Sequence, residues 1–152
     1  MASVTASTDV SASPEQAWAV LSDPSRYDEW LDLHQGFVGE PPHALEQGTT
    51  FGERVKVMGM PADVRWTVQD LEAPHRLRLT GTGPMGVGLE VRYTVEEAAV
   101  PAGRDEAGPT CRVVVVMEFS GAALMAVGGQ LEREVDTQLR SSIVKFRALA
   151  QS

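Results

Sequence analysis

The hydrophobic residues of this chain change their spacing near residue 124. Before that point, apolar and polar residues alternate in a series of short segments, which is typical of strands that bury one face. After it, apolar residues recur every three or four positions, at Leu124, Val127, Leu131, Val135, Leu139, Ile143, Phe146 and Leu149. This spacing predicts one long amphipathic helix over residues 124–150, with its apolar stripe on a sheet. Because Gly128 and Gly129 disfavour helix, we expect a kink or fraying there.

The alternating segments predict the strands of an antiparallel meander. An opening strand places Val4, Ala6, Thr8 and Val10 on one face. The inward residues of the later strands are Phe51, Val55 and Val57; Val64, Trp66 and Val68; Leu77 and Leu79; Leu89, Val91, Tyr93 and Val95; and Cys111, Val113, Val115, Met117 and Phe119. We expect residues 59–61 and 73–75 to be tight connections between strands and residues 81–86 to form a hairpin. Residues 98–109 are predicted to be the flexible tip of a further hairpin.

Two short helices are predicted between the first strand and the rest. Ser13-Pro14-Glu15-Gln16 has the form of a capping box, followed by a helix of about two turns that buries Ala17, Trp18 and Leu21. Asp23-Pro24 repeats the start signal for a second helix that carries Tyr27 and Trp30. The chain is therefore predicted to be α+β, with a curved antiparallel sheet around the long C-terminal helix.

Composition limits the class of protein. With 152 residues, 43% of them apolar, we expect one domain over residues 1–152. A formal net charge of −8 argues against a nucleic-acid partner. The single cysteine, Cys111, and the absence of a signal-like N-terminus predict a cytoplasmic location. No apolar stretch approaches the length of ~20 residues that a membrane span needs.

A strongly bent sheet cannot be filled everywhere by one helix, so we expect an apolar cavity between the two, close to Gly128 and Gly129. Its candidate lining residues are Trp30, Phe51, Trp66, Met85, Met117, Phe119, Leu124, Val127 and Leu131. Apolar concavities with few polar groups are the usual binding sites of small molecules.

Candidates for acid–base chemistry are few. Glu53 and Tyr93 are the ionisable residues on inward-facing positions, and His34 follows the second helix. We expect a bulge to turn Glu53 out to water, His34 to lie in an exposed loop, and Tyr93 to be a core aromatic whose hydroxyl has a neighbouring partner. The sequence has no paired spacing of metal ligands and no nucleotide-binding loop, so no metal or cofactor is predicted. An exposed edge strand can pair with a strand of another chain, which is compatible with a homodimer or a protein partner.

Residues 10–18 (VSASPEQAW), residues 23–30 (DPSRYDEW) and the long final helix resemble the SRPBCC superfamily, which includes START lipid-transfer domains, pollen-allergen-like proteins and polyketide cyclases. Residues 30–34 (WLDLH), 59–61 (GMP) and 64–67 (VRWT) are similar to an actinobacterial subgroup, some of whose members are labelled toxins of toxin–antitoxin pairs. The resemblance covers nearly the whole chain. It implies the helix-grip fold with a hydrophobic cavity, whereas activity varies among members.

Three functions follow from these observations. The first is a noncatalytic binder of a lipid-like or polyketide-like molecule, favoured by an apolar interior that lacks an evident proton-transfer set. The second is a cyclase or dehydratase that uses His34, Glu53 or Tyr93, which requires at least two of them in one cavity. The third is a toxin-like protein-interaction module.

Overall fold

A computed structural model describes residues 2–57, 59–97, 109–124 and 128–152. Seven antiparallel strands form one sheet in the order β1-β7-β6-β5-β4-β3-β2. The strands are β1 (Ala2–Val10), β2 (His34–Val38), β3 (Thr50–Val57), β4 (Met60–Glu72), β5 (Arg76–Thr82), β6 (Gly88–Glu97) and β7 (Cys111–Ser120). The helices are α1 (Pro14–Leu21), α2 (Tyr27–Trp30) and α3 (Gly128–Ala150), with 3₁₀ turns at Pro24–Arg26, Pro84–Gly86 and Ala122–Leu124. The sheet curls around α3, which packs on β1 and β3, as the helix-grip fold requires.

The buried core lies between the sheet and α3. On β7 every second residue from Cys111 to Phe119 is buried, and the residues between them are more exposed. On α3 the buried apolar residues are Leu131, Val135, Leu139, Ile143, Phe146 and Ala150. The predicted alternation in the strands and the helical stripe are both confirmed.

The two predicted helix starts are also confirmed. Ser13 Oγ accepts a hydrogen bond from Gln16 N at 3.1 Å, and Gln16 Oε1 accepts one from Ser13 N at 3.0 Å. Asp23 caps the next turn by accepting from Ser25 N at 3.0 Å. These caps orient α2 so that Tyr27 and Trp30 are buried in the core.

The start of the C-terminal helix and the stretch around His34 differ from their predicted secondary structure. The helix was predicted from residue 124, but Leu124 lies in a 3₁₀ turn and the described helix begins at Gly128, so the two glycines form its first turn. The stretch around His34 was predicted as a loop but forms edge strand β2, paired with β3. Its burial does not alternate and a register shift follows His34, so it lacks the period of two that identifies a strand. Val127 and residues 98–108 of the predicted tip lie outside the described residues.

The outer face of the sheet carries a ladder of ion pairs across β5, β6 and β7. Arg78 Nη2 lies 3.0 Å from Glu90 Oε1, Glu90 also pairs with Arg92, and Arg92 Nη2 lies 2.5 Å from Glu118 Oε1. The charged residues of these strands thus face away from the core. Within the described part of the chain, no helix is long and apolar enough to cross a bilayer.

Candidate functional site

A buried carboxylate lies in the otherwise apolar interior. Glu53, on β3, is 4% exposed. Trp66 Nε1, on β4, donates a hydrogen bond to Glu53 Oε1 at 2.9 Å. His34 Nδ1, on β2, lies 2.6 Å from Glu53 Oε2. Each carboxylate oxygen therefore has one partner, and the three residues join strands β2, β3 and β4.

The expectation that Glu53 is solvated is wrong. Glu53 shares the inward parity of Phe51 and Val55, and no bulge interrupts the pairing of β3 with β4 to turn it outward. Burial of a carboxylate is costly unless it is hydrogen-bonded. The indole of Trp66 and the imidazole of His34 supply those hydrogen bonds, so the side chain of Glu53 remains on the inward face of the sheet.

The expectation that His34 is exposed is wrong as well. Its side chain is 5% exposed, because His34 begins strand β2 and its ring is directed toward Glu53 on the paired strand β3. The ring packs against Tyr27 and Phe37, with centroids 5.8 and 4.9 Å away. An ionised carboxylate is only an acceptor, so Nδ1 carries the proton toward Glu53 when Glu53 is charged.

Trp66 reaches Glu53 because the neighbouring strand is open beneath its ring. A Cβ atom on Gly81 of β5 would lie 2.7 Å from Trp66 Cε3 and 2.9 Å from Val64 Cγ1. A side chain at Gly81 would therefore displace the Trp66 ring, and with it the hydrogen bond to Glu53.

Two tyrosines lie beside the carboxylate. Tyr27 and Tyr93 line the same void as Glu53. Burial raises the pKa of both hydroxyls, and the charge of Glu53 raises the pKa of each further. Both phenols therefore stay neutral and can donate or accept a hydrogen bond.

The interior contains two small voids. The first has a volume of about 40 Å³, and its walls are Tyr27, Leu31, Leu33, Phe51, Glu53, Val55, Trp66, Leu79, Val91, Tyr93 and Met117. The second, of about 30 Å³, extends toward Phe119 and Val135. The two share the walls Leu33, Val55, Trp66, Val91 and Met117. These five side chains thus form the partition between the voids.

A larger cleft opens at the first turn of α3. Its volume is about 310 Å³, and it is lined by Ala2, Phe119, Ser120, Gly121, Leu124, Gly128, Gly129 and Glu132. Phe119 is a wall of both this cleft and the second void. The second void therefore shares walls both with the cleft beside Gly128 and Gly129 and with the first void beside Glu53.

The structure separates the predicted lining residues into groups. Phe51, Trp66 and Met117 line the first void, and Trp66, Met117 and Phe119 line the second. Phe119 and Leu124 line the cleft.

The other predicted lining residues lie elsewhere. Trp30 is buried against Tyr93 and Phe146, and Leu131 is buried on α3, but neither is a wall of these hollows. Met85 is 85% exposed in a turn, because residues 84–86 leave strand geometry and turn its side chain outward. Val127 is outside the described residues.

The sequence identified Glu53, His34 and Tyr93 singly but not their assembly. Tyr27 was placed on the second short helix, but was not identified as a polar wall of the site. The assembly was missed because strand β2 was not predicted. The pairing of β2 with β3 brings His34 to the carboxylate of Glu53, 19 positions away in the sequence. Among the described residues, no group of three or more His, Cys, Asp or Glu could hold a metal ion.

The chain is similar to known proteins over nearly all its length. The family model described as polyketide cyclase / dehydrase and lipid transport matches residues 1–148. A relative named Toxin Rv0910, from Mycobacterium tuberculosis, is 38% identical over 91 residues, and this match spans 60% of the chain and 63% of the relative's length.

Solved structures show the same fold. Protein CV1439 from Chromobacterium violaceum superposes on this chain with a TM-score of 0.72 at 17% identity. The match spans 100% of this chain and 99% of the CV1439 chain. A START superfamily protein from Mycobacterium smegmatis has a TM-score of 0.60 at 17% identity. That match spans 92% of this chain and 95% of the M. smegmatis chain. Together with the sheet wrapped around α3, the match over residues 1–148 shows that the chain belongs to the polyketide cyclase / dehydrase and lipid transport family.

Proposed function

We propose that this protein binds a small hydrophobic molecule, lipid-like or polyketide-like, between the sheet and α3. The observation that supports the proposal most is the pair of interior voids, of which the first lies beside Glu53 and the second shares the wall Phe119 with the cleft at α3. The walls of the two voids are mostly apolar, and Glu53, Tyr27 and Tyr93 are the polar groups of the first, whereas the cleft also carries Ser120 and Glu132. An apolar hollow with a few placed polar groups is the usual form of a small-molecule site.

The interior must open for such a ligand to enter. The two voids measure about 40 and 30 Å³, which is room for a few waters at roughly 10–15 Å³ each. Sites for drug-sized ligands have volumes of roughly 300–1,000 Å³. A ligand therefore has to displace the partition between the voids. Met117 is the wall best suited to move, because its unbranched side chain adapts easily.

Native mass spectrometry of the protein purified from the organism that makes it tests the proposal. We expect a mass in excess of the bare chain, and a stoichiometric apolar compound on denaturing extraction. A bare mass, together with no thermal stabilisation by fatty alcohols, sterols or aromatic polyketides, would contradict the proposal.

A pair of methionine variants tests whether the interior is the binding site. Met117→Ala joins the two voids, whereas Met60→Ala changes a methionine that is 69% exposed. We expect Met117→Ala to bind the extracted compound more tightly and faster than wild type, and Met60→Ala to bind as wild type. Equal binding by all three proteins would place the ligand elsewhere.

A second candidate function is a cyclase or dehydratase. It is favoured by the presence of Glu53 and Tyr93 in one void, with His34 on the carboxylate. A carboxylate, an imidazole and a neutral phenol in an apolar cavity are groups that can move protons on a bound polyketide. Conversion of the extracted compound to a product lighter by one water, lost in Glu53→Gln while binding is kept, would establish this function over simple carriage.

A further inference from the structure

The charged groups of the protein are distributed unevenly between its surface and its interior. Among the described residues, Glu53 is the only acidic residue that is buried, and Ser142 is buried as well. No described Lys or Arg is buried. Glu53 lines the first void and Ser142 lines neither void. The interior site therefore offers one carboxylate and no lysine or arginine side chain, and the imidazole of His34 already contacts Glu53.

The hydrogen-bonding capacity of Glu53 is only partly used. A carboxylate has about four acceptor positions, and Trp66 and His34 occupy one on each oxygen. The remaining positions can accept from a donor on a ligand. The neutral hydroxyls of Tyr27 and Tyr93 line the same void, and each can accept or donate, so they do not exclude either kind of ligand group.

We propose that the interior selects an apolar molecule whose polar group is an uncharged hydrogen-bond donor, an alcohol or a phenol, and rejects apolar carboxylates. This inference rests on the proposed function, because it concerns the same site. A ligand hydroxyl can donate to Glu53, whereas a ligand carboxylate would place a second negative charge beside Glu53 in a water-poor void. Like charges brought together in a desolvated site disfavour binding strongly.

Three probes on one scaffold test the preference: naphthalene, 2-naphthol and 2-naphthoate, titrated at pH 7 by calorimetry. We expect 2-naphthol to bind at least about tenfold more tightly than 2-naphthoate, with naphthalene between them. Glu53→Gln keeps the size of the side chain and removes its charge, so the difference between 2-naphthol and 2-naphthoate should shrink or reverse. Glu72→Gln removes a carboxylate on β4 that is 64% exposed and lines none of the three hollows, so it should leave the wild-type order intact.

The outcomes separate this inference from the proposed function. If wild type binds 2-naphthoate as tightly as 2-naphthol, or if the preference survives in Glu53→Gln, the selection is overturned while binding of hydrophobic molecules stands. If none of the three probes binds but the native protein carries an apolar compound, the selection is overturned while the proposed function stands; if it carries none, both are overturned. The comparison of the probes on the wild-type protein does not depend on the variant folding.

Discussion

The pair formed by His34 and Glu53 is the residue-scale feature with the largest consequences. Both side chains are 5% exposed, and they lie 2.6 Å apart. When one partner of a buried pair is removed, the other is left desolvated without its bond, which destabilises far more than loss of an exposed pair. The Arg54–Asp63 pair offers the comparison, because its side chains are 54% and 52% exposed.

We expect His34→Ala to lower the free energy of unfolding by about 3 kcal/mol, since it leaves Glu53 with Trp66 as its one remaining partner. Arg54→Ala, on the same sheet, should produce no measurable change. Urea unfolding of both variants at pH 7 measures the difference. Equal effects would show that the buried pair carries no special stability.

At the scale of elements, the ion-pair ladder joins the three strands at the middle of the sheet. Its central residue is Glu90 on β6. The hydrogen bond from Arg78 lowers the pKa of Glu90 below its ordinary value of 4.5, and the bond from Arg92 lowers it further. A group whose folded pKa is depressed adds stability above its unfolded pKa and loses it as the pH falls through the folded pKa.

The free energy of unfolding of wild type should therefore exceed that of Glu90→Gln by a constant amount, on the order of 1 kcal/mol, above about pH 4.5. Below that pH the difference should shrink. Urea unfolding of both proteins from pH 7 to pH 3 measures it, and Glu97→Gln on the same strand controls for the loss of net charge. A difference that grows as the pH falls would contradict the role given to Glu90.

Helix α3 is tied to the segment between α2 and β2 by one buried serine. Ser142 Oγ accepts from Asp32 N at 2.8 Å and donates to Gln138 O at 2.8 Å. Lys145 on the same helix also pairs with Asp32. This tie holds α3 beside the strand that carries His34.

Ser142→Ala should destabilise the protein by about 1–3 kcal/mol, because the amide of Asp32 loses its acceptor in a partly buried place. Ser141→Ala, at the exposed neighbouring position, should have no effect. Urea unfolding measures both, and hydrogen exchange at the Asp32 amide should accelerate only in Ser142→Ala. Unchanged exchange would mean that other contacts hold this segment.

At the scale of the whole molecule, periodicity predicted the alternating strands of the sheet and the stripe of α3, because each of these elements buries one face. The start signals at Ser13 and Asp23 predicted α1 and α2. The same parity placed Phe51, Trp66, Met117 and Phe119 inward, where the voids lie. Periodicity could not identify β2, whose pattern does not alternate, nor the pairing that brings His34 to Glu53. The buried site depends on contacts between strands distant in sequence, and a single sequence carries little record of them.

The interior site itself can be tested through the indole N–H signals of the protein. The chain has three tryptophans. The indole N–H of Trp66 donates a hydrogen bond to Glu53, and the Trp66 ring lines both voids. Trp18 on α1 lines neither void. A ligand inside the protein must therefore disturb Trp66 and spare Trp18.

The most direct measurement is a titration of ¹⁵N-labelled protein with 2-naphthol, followed by NMR of the indole N–H signals. We predict a saturable shift of the Trp66 signal that ends at one equivalent, with the Trp18 signal unchanged. Saturable binding that leaves Trp66 unmoved, or the absence of saturable binding, would contradict an interior site for hydrophobic molecules.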